Sequence, residues 1–243
     1  AGLIPAALEM MDALAIRAAE EYVHAGYPID AAAILLCELD GVASQVESDA
    51  DRVSDIMKAK GAINVRTATT EEECELFWKG RKAAFPALGR LAPDYYCMDG
   101  SVPRYAIGRV LSEITRLSTV YQLPVANVFH AGDGNLHPLV LYDANKEDEL
   151  QRAETFGGKI LEYCVAVGGT ITGEHGVGVE KLDQMCLQFS EAELNQFHRL
   201  KAAFDPGALM NPGKAVPALA RCSELGGMHV HEGKVPHPEL ERF

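Results

Sequence analysis

The chain has 243 residues, of which 48% are hydrophobic and 23% are charged, so it can bury a sizeable core. Its formal net charge of −13 argues against nucleic-acid binding, because no basic stripe is present to neutralise phosphates. No apolar run approaches the length of a membrane span, and the six cysteines form no CxxC pair, a pattern that favours reduced thiols. We therefore expect a cytoplasmic protein. The composition is also compatible with a peripheral membrane partner.

The first half of the chain alternates between helical and extended patterns. Asp12 is a predicted N-cap for a helix that continues to about His24. The following segments are predicted to be a buried strand at 31–39, a helix from about Ser44 to Lys60, a strand at 63–68, and a helix that starts at Thr70 with acidic residues in its first turn. This order is typical of a small open sheet with helices on one face.

The second half repeats this alternation, which suggests a weak internal duplication. The predicted elements are an extended segment at 95–102, a helix from about Tyr105 to Gln122, strands at 125–130 and 138–142, and helices at 147–167 and 190–204. The turn Ala131–Asn135 contains Asp-Gly and Gly-Asn steps, which favour a hairpin between the two strands. Ser190 and Glu193 predict a capping box at the start of the last helix.

The two ends of the chain differ from its middle. The opening Ala1–Pro5 is typical of the interior of a longer polypeptide, so we expect a fragment. From Val216 onward the chain is rich in proline, glycine and histidine, and an irregular tail is expected. The histidines of this tail are interpreted as solvated or packing residues rather than metal ligands: His229, His231 and His237.

Two short segments could perform chemistry together. His130 and His137 flank the predicted hairpin turn, and Gly173-Glu174-His175-Gly176-Val177-Gly178 follows about forty residues later. Neutral imidazoles and a carboxylate are the usual ligands of a catalytic divalent metal, and three protein ligands leave coordination positions for a substrate. If the segments meet in space, the two histidines and Glu174 can hold a metal while His175 moves a proton. If they do not meet, they are two glycine-rich turns.

Several basic and amide side chains are candidates for binding an acidic substrate or a cofactor. A guanidinium binds a carboxylate through two hydrogen bonds, which makes Arg81 and Arg104 candidate substrate ligands. Arg90 is interpreted as a surface residue. In the segment Asn211-Pro212-Gly213-Lys214, the amide and the ammonium group could contact a ligand or could belong to a simple turn.

Three motifs of this chain together resemble, in order and spacing, the C-terminal domain of FAD-linked D-2-hydroxyacid oxidoreductases of the vanillyl-alcohol oxidase superfamily: His130–His137, Gly173–Gly178 and Asn211–Lys214. Three further segments resemble the FAD-containing subunit of bacterial glycolate oxidases: Arg81–Pro86, Pro93–Gly100 and Met228–Gly233. The resemblance covers essentially the whole chain.

The resemblance implies a fold and a domain organisation. The fold would be an α+β cap domain with ferredoxin-like halves, an antiparallel sheet and helices on one face. This substrate domain would span residues 1–218, and residues 219–243 would form an irregular tail of the same domain. An N-terminal FAD-binding domain, which would hold most of the FAD, is absent from this chain, so the isolated chain is expected to be inactive.

The resemblance also implies the oxidation of a 2-hydroxy acid, with hydride passing from C2 to the flavin. A divalent metal, zinc or else manganese or iron, would polarise the hydroxyl group, and His175 would take its proton. The other implied residues are His130, His137 and Glu174 as metal ligands, Arg81 at the substrate carboxylate, and Asn211 and Lys214 near the flavin.

Departures from the family pattern bear on the substrate. Family members that act on hydroxyglutarate have a lysine where this chain has Cys97 and an asparagine where it has Leu139. These differences disfavour a dicarboxylate and favour a small acid such as glycolate or D-lactate. Electrons would leave through other subunits of a glycolate oxidase complex, including an iron–sulfur subunit, rather than to NAD. Peripheral association with the inner membrane stays open.

Two alternatives come from other functional classes. The chain could be a non-catalytic metal-binding or subunit-assembly module that uses the same fold for contact with a partner. It could also be a stand-alone metal hydrolase in which His175 activates a metal-bound water.

Overall fold

The computed structural model describes residues 2–217, which form a mixture of strands and helices. The strands are β1 (Ala7–Asp12), β2 (Ala33–Glu38), β3 (Asp94–Cys97), β4 (Gly100–Ser101), β5 (Val125–His130), β6 (Asn135–Leu136) and β7 (Pro138–Tyr142). The helices are α1 (Ala13–Val23), α2 (Ala43–Ala59), α3 (Glu71–Leu88), α4 (Ile107–Tyr121), α5 (Glu149–Ala166), α6 (Leu182–Gln188) and α7 (Glu191–Phe204), with a 3₁₀ turn at Arg104–Ala106 before α4.

The strand β5 lies at the centre of the sheet. It pairs antiparallel with β1 on one side and with β7 on the other, and its last residue, His130, pairs with Asn135 of β6. The outer pairs, β1 with β2, β3 with β7 and β4 with β6, are also antiparallel. Since only His137 separates β6 from β7, these two run beside β5 as one interrupted strand. Both histidines of the first motif therefore lie towards the same end of the sheet.

Neighbouring residues of β5 face opposite sides of the sheet, as the pleat requires. Val128 belongs to a buried cluster with residues of α1 and α3, whereas Phe129 belongs to a second cluster with residues of α4 and α5. The α+β class and the antiparallel sheet are confirmed. The layout differs from the expected one, because helices cover both faces of the sheet and not one; β5 and β7 are buried along nearly their whole length.

Elements with a cap or a continuous apolar run lie where the sequence predicts them. The strands β5 and β7 have the predicted bounds. Asp12 caps α1, since its Oδ1 accepts a hydrogen bond from the backbone N of Ala15 at 3.1 Å. Ser190 and Glu193 form the predicted capping box at the start of α7.

Other predicted elements need correction. The strand predicted at 63–68 is wrong, because this segment has no regular secondary structure. The segment 31–39 contains β2, which lies at the edge of the sheet and is partly exposed rather than buried. Three elements were not predicted: β1, whose apolar run is interrupted by Glu9, the two-residue strand β6, and the short helix α6.

The described residues test two expectations from composition, one about reduced thiols and one about membrane-spanning helices. The thiols of Cys37, Cys74, Cys97 and Cys164 are free, but Cys186 is disulfide-bonded, so the expectation of reduced thiols is wrong at that position. Within residues 2–217, no helix combines the length and the apolar character needed to cross a membrane. The tail predicted at 219–243, with its three histidines, lies outside the described residues.

Candidate metal and acid–base site

The hairpin that follows β5 brings together the two histidines of the first motif. A hydrogen bond from the backbone N of Gly134 to the carbonyl oxygen of His130, 3.1 Å long, closes the turn. Gly134 has a φ of +84°, and a Cβ at this position would lie 2.2 Å from the carbonyl oxygen of Val102, so only glycine fits. The rings of His130 and His137 lie 5.2 Å apart between centroids and are nearly perpendicular, at 85°.

The second motif lies on the loop between α5 and α6, directly beside this hairpin. Thr170 and Ser101 exchange backbone hydrogen bonds of 2.8 and 3.1 Å, which fasten the start of the loop to β4. Gly173 approaches Asn135 so closely that a Cβ would lie 2.1 Å from the Asn135 Oδ1 atom. The two glycine-rich segments therefore meet in space, and the reading as two unrelated turns is excluded.

Three donor atoms converge where the segments meet. Glu174 Oε1 lies 2.9 Å from His137 Nε2 and 3.7 Å from His130 Nε2, and one ligand atom from each residue lies within 4.8 Å of the others. Burial lowers the pKa of His137 despite the opposing charge of Glu174, which favours the neutral ring that a metal ligand must have. Two imidazoles and one carboxylate, exposed on one side, fit a divalent metal with an open coordination face.

His175 lies next to this cluster and is open to solvent. Its ring is stacked on that of His137, with centroids 5.0 Å apart and an angle of 7° between the planes. Its Nε2 lies 3.7 Å from Glu174 Oε1, and almost half of its side chain is exposed. An imidazole in this position can exchange a proton with a group bound at the open face.

Glu9 and Arg81 support His130 from the neighbouring strand and helix. Glu9 is the register partner of His130, and its Oε1 lies 2.7 Å from His130 Nδ1. The other oxygen, Oε2, accepts hydrogen bonds from Arg81 Nε at 3.1 Å and Nη2 at 2.8 Å. A carboxylate at Nδ1 favours the tautomer whose Nε2 lone pair faces the metal position. Glu9 was not predicted from the sequence to contact the site. The one local signal for such a role was a single acid within an apolar strand.

Asp99 and Lys181 are a second pair that the sequence analysis did not assign to the site. Asp99 follows β3, Lys181 precedes α6, and both residues are buried. Lys181 Nζ lies 2.9 Å from Asp99 Oδ2, and the carboxylate of Asp99 also accepts hydrogen bonds from the backbone of the Gly173–His175 segment. A buried acid and a buried base that are far apart in the sequence give no local pattern by which to predict their pairing.

The remaining predicted ligands lie around the two motifs. Arg104 Nη1 is 3.5 Å from the carbonyl oxygen of Gly132, so its side chain reaches the turn between the histidines. Asn211 and Lys214 belong to a segment that joins the second motif through a 2.8 Å hydrogen bond from the Ala215 N to the carbonyl oxygen of Gly178. Arg90 instead lies over the ring of Tyr22, as a surface arginine would.

Cys97 and Leu139, the two expected departures from the family pattern, have different surroundings. A ligand atom of Cys97, its Sγ, lies within 4.8 Å of ring nitrogens of both His137 and His175. Burial raises the pKa of this thiol to about 12, with a further contribution from Asp99. Leu139 is fully buried in the cluster beneath α1 and α3. Of the two, Cys97 contacts the site.

Comparisons with known proteins agree with these observations. The model of the family "FAD linked oxidases, C-terminal domain" matches residues 1–215. The glycolate oxidase subunit GlcD of Escherichia coli strain K12 is 63% identical over 242 residues, which cover 100% of this chain and 48% of the relative. The GlcD subunit of Bacillus subtilis strain 168 is 39% identical over 221 residues, covering 91% and 47%. A probable mitochondrial D-lactate dehydrogenase of Danio rerio is 30% identical over 220 residues, covering 89% and 44%.

The chain spans about half the length of these relatives. Among solved structures, substrate-bound p-cresol methylhydroxylase has a TM-score of 0.67 at 16% identity, over 88% of this chain and 47% of that chain. The 4-ethylphenol oxidase of Gulosibacter chungangensis in complex with isoeugenol has a TM-score of 0.60 at 15% identity, over 87% and 47%. Identities this low show a shared fold alone. The family match over nearly the whole chain confirms the resemblance read from the three motifs: the chain belongs to the FAD-linked oxidases, as their C-terminal domain.

Proposed function

We propose that this chain is the substrate-binding and catalytic domain of a flavin-dependent 2-hydroxyacid dehydrogenase or oxidase that acts on glycolate or D-lactate. The observation that carries the proposal is the convergence of His130, His137 and Glu174, with His175 beside their open face. The family and the names of the relatives, glycolate oxidase subunits and D-lactate dehydrogenases, support the same chemistry.

The three converging side chains would hold a divalent metal, zinc or else manganese or iron. A metal in this position would lower the pKa of the substrate hydroxyl and bind a carboxylate oxygen. The contact of Glu9 with His130 Nδ1 supports this assignment, since histidine ligands of metals commonly donate their second nitrogen to a carboxylate.

The protein's own groups would then bind the acid and move its proton. His175 would accept the hydroxyl proton of the substrate, and FAD, held by a domain outside this chain, would supply the acceptor for the hydride from C2. Arg81, whose Nε and Nη2 contact Glu9, would bind the substrate carboxylate. Arg104 would assist in binding from its position at the hairpin turn, and Asn211 and Lys214 would lie near the flavin.

The size of the substrate and the partners of the protein follow from the same proposal. The partly buried thiol of Cys97 provides no positive charge for a second carboxylate, which favours a small monocarboxylic acid. Residues 1–218 would form the domain, with the tail at its end. The full-length protein would belong to a glycolate oxidase complex with an iron–sulfur subunit that takes the electrons, associated peripherally with the inner membrane.

Metal analysis tests the first part of this proposal. We expect stoichiometric metal in the wild-type protein and its loss in His130→Ala and Glu174→Ala, because each variant lacks one of three protein ligands. His24→Asn is a matched control, since His24 caps α1 in a left-handed conformation that asparagine tolerates. Full metal content in both ligand variants would contradict the assignment.

Flavin reduction in the full-length protein tests the second part. With glycolate or D-lactate as substrate, His175→Ala should slow flavin reduction by about 10²–10⁴-fold, the usual contribution of a general base. Metal binding without any hydroxyacid-dependent flavin reduction would favour the non-catalytic binding or assembly module. Metal-dependent hydrolysis without flavin chemistry would favour the hydrolase.

A further inference from the structure

Asp99 and Lys181 are buried charged groups that the proposed chemistry does not use. Their side chains are 0% and 3% exposed, and Lys181 Nζ lies 2.9 Å from Asp99 Oδ2. The same ammonium group donates hydrogen bonds to the Asp99 carbonyl oxygen at 3.0 Å and to Thr172 Oγ1 at 3.2 Å. Burying two charges is costly unless they are paired and hydrogen-bonded, and here each charge has a partner of opposite sign and further hydrogen bonds.

The carboxylate of Asp99 also binds the backbone of the second motif. It accepts hydrogen bonds from three consecutive amides: Gly173 N at 3.0 Å, Glu174 N at 3.1 Å and His175 N at 2.9 Å. Thr172 Oγ1 donates another at 2.7 Å. Burial opposes the charge on Asp99, but these hydrogen bonds and Lys181 outweigh it and hold the pKa of the carboxyl well below its usual range.

These contacts tie down both ends of the loop that carries the motif. The amides of 173–175 bind Asp99 at one end, and Lys181 binds the same residue at the other. The side chains of Glu174 and His175 are about half exposed, and both contact neighbouring histidine rings. His130 and His137, in contrast, are positioned by the central strands. The loop residues therefore depend on their backbone anchor.

We propose that Asp99 and Lys181 are positioning residues, which hold the Thr172–Gly176 loop so that Glu174 faces His137 and His175 lies over the same ring. The anchoring stands on the described contacts, whereas its effect on metal affinity rests on the proposed function. Loss of a group that orients a metal ligand typically weakens metal binding about 10–100-fold. The anchor would set the affinity of the site without touching the metal.

The test compares variants of the full-length protein by two readouts. Asp99→Asn and Lys181→Met remove one partner each, and Thr172→Val is a milder variant that removes one hydroxyl group if the others fail to fold. Amide hydrogen exchange at 173–175, measured without metal, reports the anchor. Zn²⁺ affinity, measured by competition with a chelator, reports the site.

Asp12→Asn is the matched control. Its carboxylate also accepts backbone hydrogen bonds, from Ala15 N at 3.1 Å and Asn127 N at 2.8 Å, but Asp12 is the last residue of β1, three positions beyond Glu9. We expect faster exchange at 173–175 and about 10–100-fold weaker Zn²⁺ binding in the Asp99 and Lys181 variants, a smaller effect of the same sign in Thr172→Val, and neither effect in Asp12→Asn.

The outcomes separate the two proposals. Faster loop exchange in a protein that binds no Zn²⁺ even as wild type would support the anchor and overturn the metal in the proposed function. Folded variants with wild-type loop exchange and wild-type Zn²⁺ affinity would overturn the anchor. Equal changes in Asp12→Asn would also overturn it, because the effect would then be a general loss of stability.

Discussion

The carboxylate of Glu9 contacts two side chains that the function needs, one through each oxygen. It lies 2.7 Å from His130 Nδ1 and accepts the 2.8 Å hydrogen bond from Arg81 Nη2. Both the acid and the arginine are largely buried, so each compensates the buried charge of the other. One residue thus contacts both the proposed metal ligand His130 and the proposed substrate arginine.

Glu9→Gln should therefore lower both stability and metal affinity. Removing one charge of a buried pair leaves the other uncompensated, which typically costs about 3–5 kcal/mol of unfolding free energy. We expect a loss near the lower end of this range in urea denaturation, together with weaker metal binding. Glu113→Gln is the control, because Glu113 pairs with Arg116 on the exposed face of α4 and should have little effect. Equal losses in the two variants would contradict the role of Glu9.

Cys97 gives a prediction about pH. Burial raises the pKa of its thiol to about 12, and only the thiolate reacts with alkylating reagents. The thiolate fraction at neutral pH is therefore very small, and it increases as the pH rises towards the pKa. We expect alkylation of Cys97, followed by mass spectrometry, to be much slower than that of exposed Cys74 at pH 7 and to accelerate steadily up to pH 10. Equal rates at pH 7 would show that Cys97 is not protected.

At the scale of elements, the β5–β6 hairpin is the feature on which the histidine pair depends. Gly134→Ala would place a Cβ 2.2 Å from the Val102 carbonyl oxygen at a φ of +84°, so the turn must rearrange. We expect a clear loss of thermal stability and of bound metal. The control, Gly108→Ala in α4, meets no atom within 4 Å and should gain about 0.5–1 kcal/mol, as alanine favours helices. Unchanged metal content in Gly134→Ala would rule out a strict requirement for this turn.

Elements that carry their own local signal could be predicted from the sequence. The N-caps Asp12 and Ser190 mark the starts of α1 and α7, and the apolar runs of β5 and β7 mark the central strands. The segment 63–68 has a similar apolar pattern but forms no strand, because a strand also needs a partner edge and no sheet neighbour is available to it there. Local propensity is overridden where pairing decides the structure.

At the scale of the whole molecule, the two helical layers share one sheet. Val128 and Phe129 are neighbours in β5 but belong to different buried clusters, so the strand belongs to both cores. A defect in one core should therefore weaken the other through the sheet, and the described part of the chain should unfold as one cooperative unit.

This expectation can be tested with the single tryptophan, Trp78, which lies in α3 on one face of the sheet. Ile160→Ala, in the core on the other face, should cost about 2–5 kcal/mol and shift the Trp78 fluorescence transition as far as the circular dichroism transition. Leu88→Ala, in the core beside α3, is the matched variant. If Ile160→Ala left the Trp78 transition in place, the two layers would unfold independently.

The sequence by itself determined the family, the central strands, the capped helices and the residue types of the candidate site. These depend on contiguous motifs and local periodicity, which a single chain displays. Only the tertiary structure decided how the site is held together: Glu9 reaches His130 across 121 positions, and Asp99 reaches His175 across 76. Hydrogen bonds between such distant residues impose no period on the sequence, so only the fold that brings the strands and the loop together could identify them.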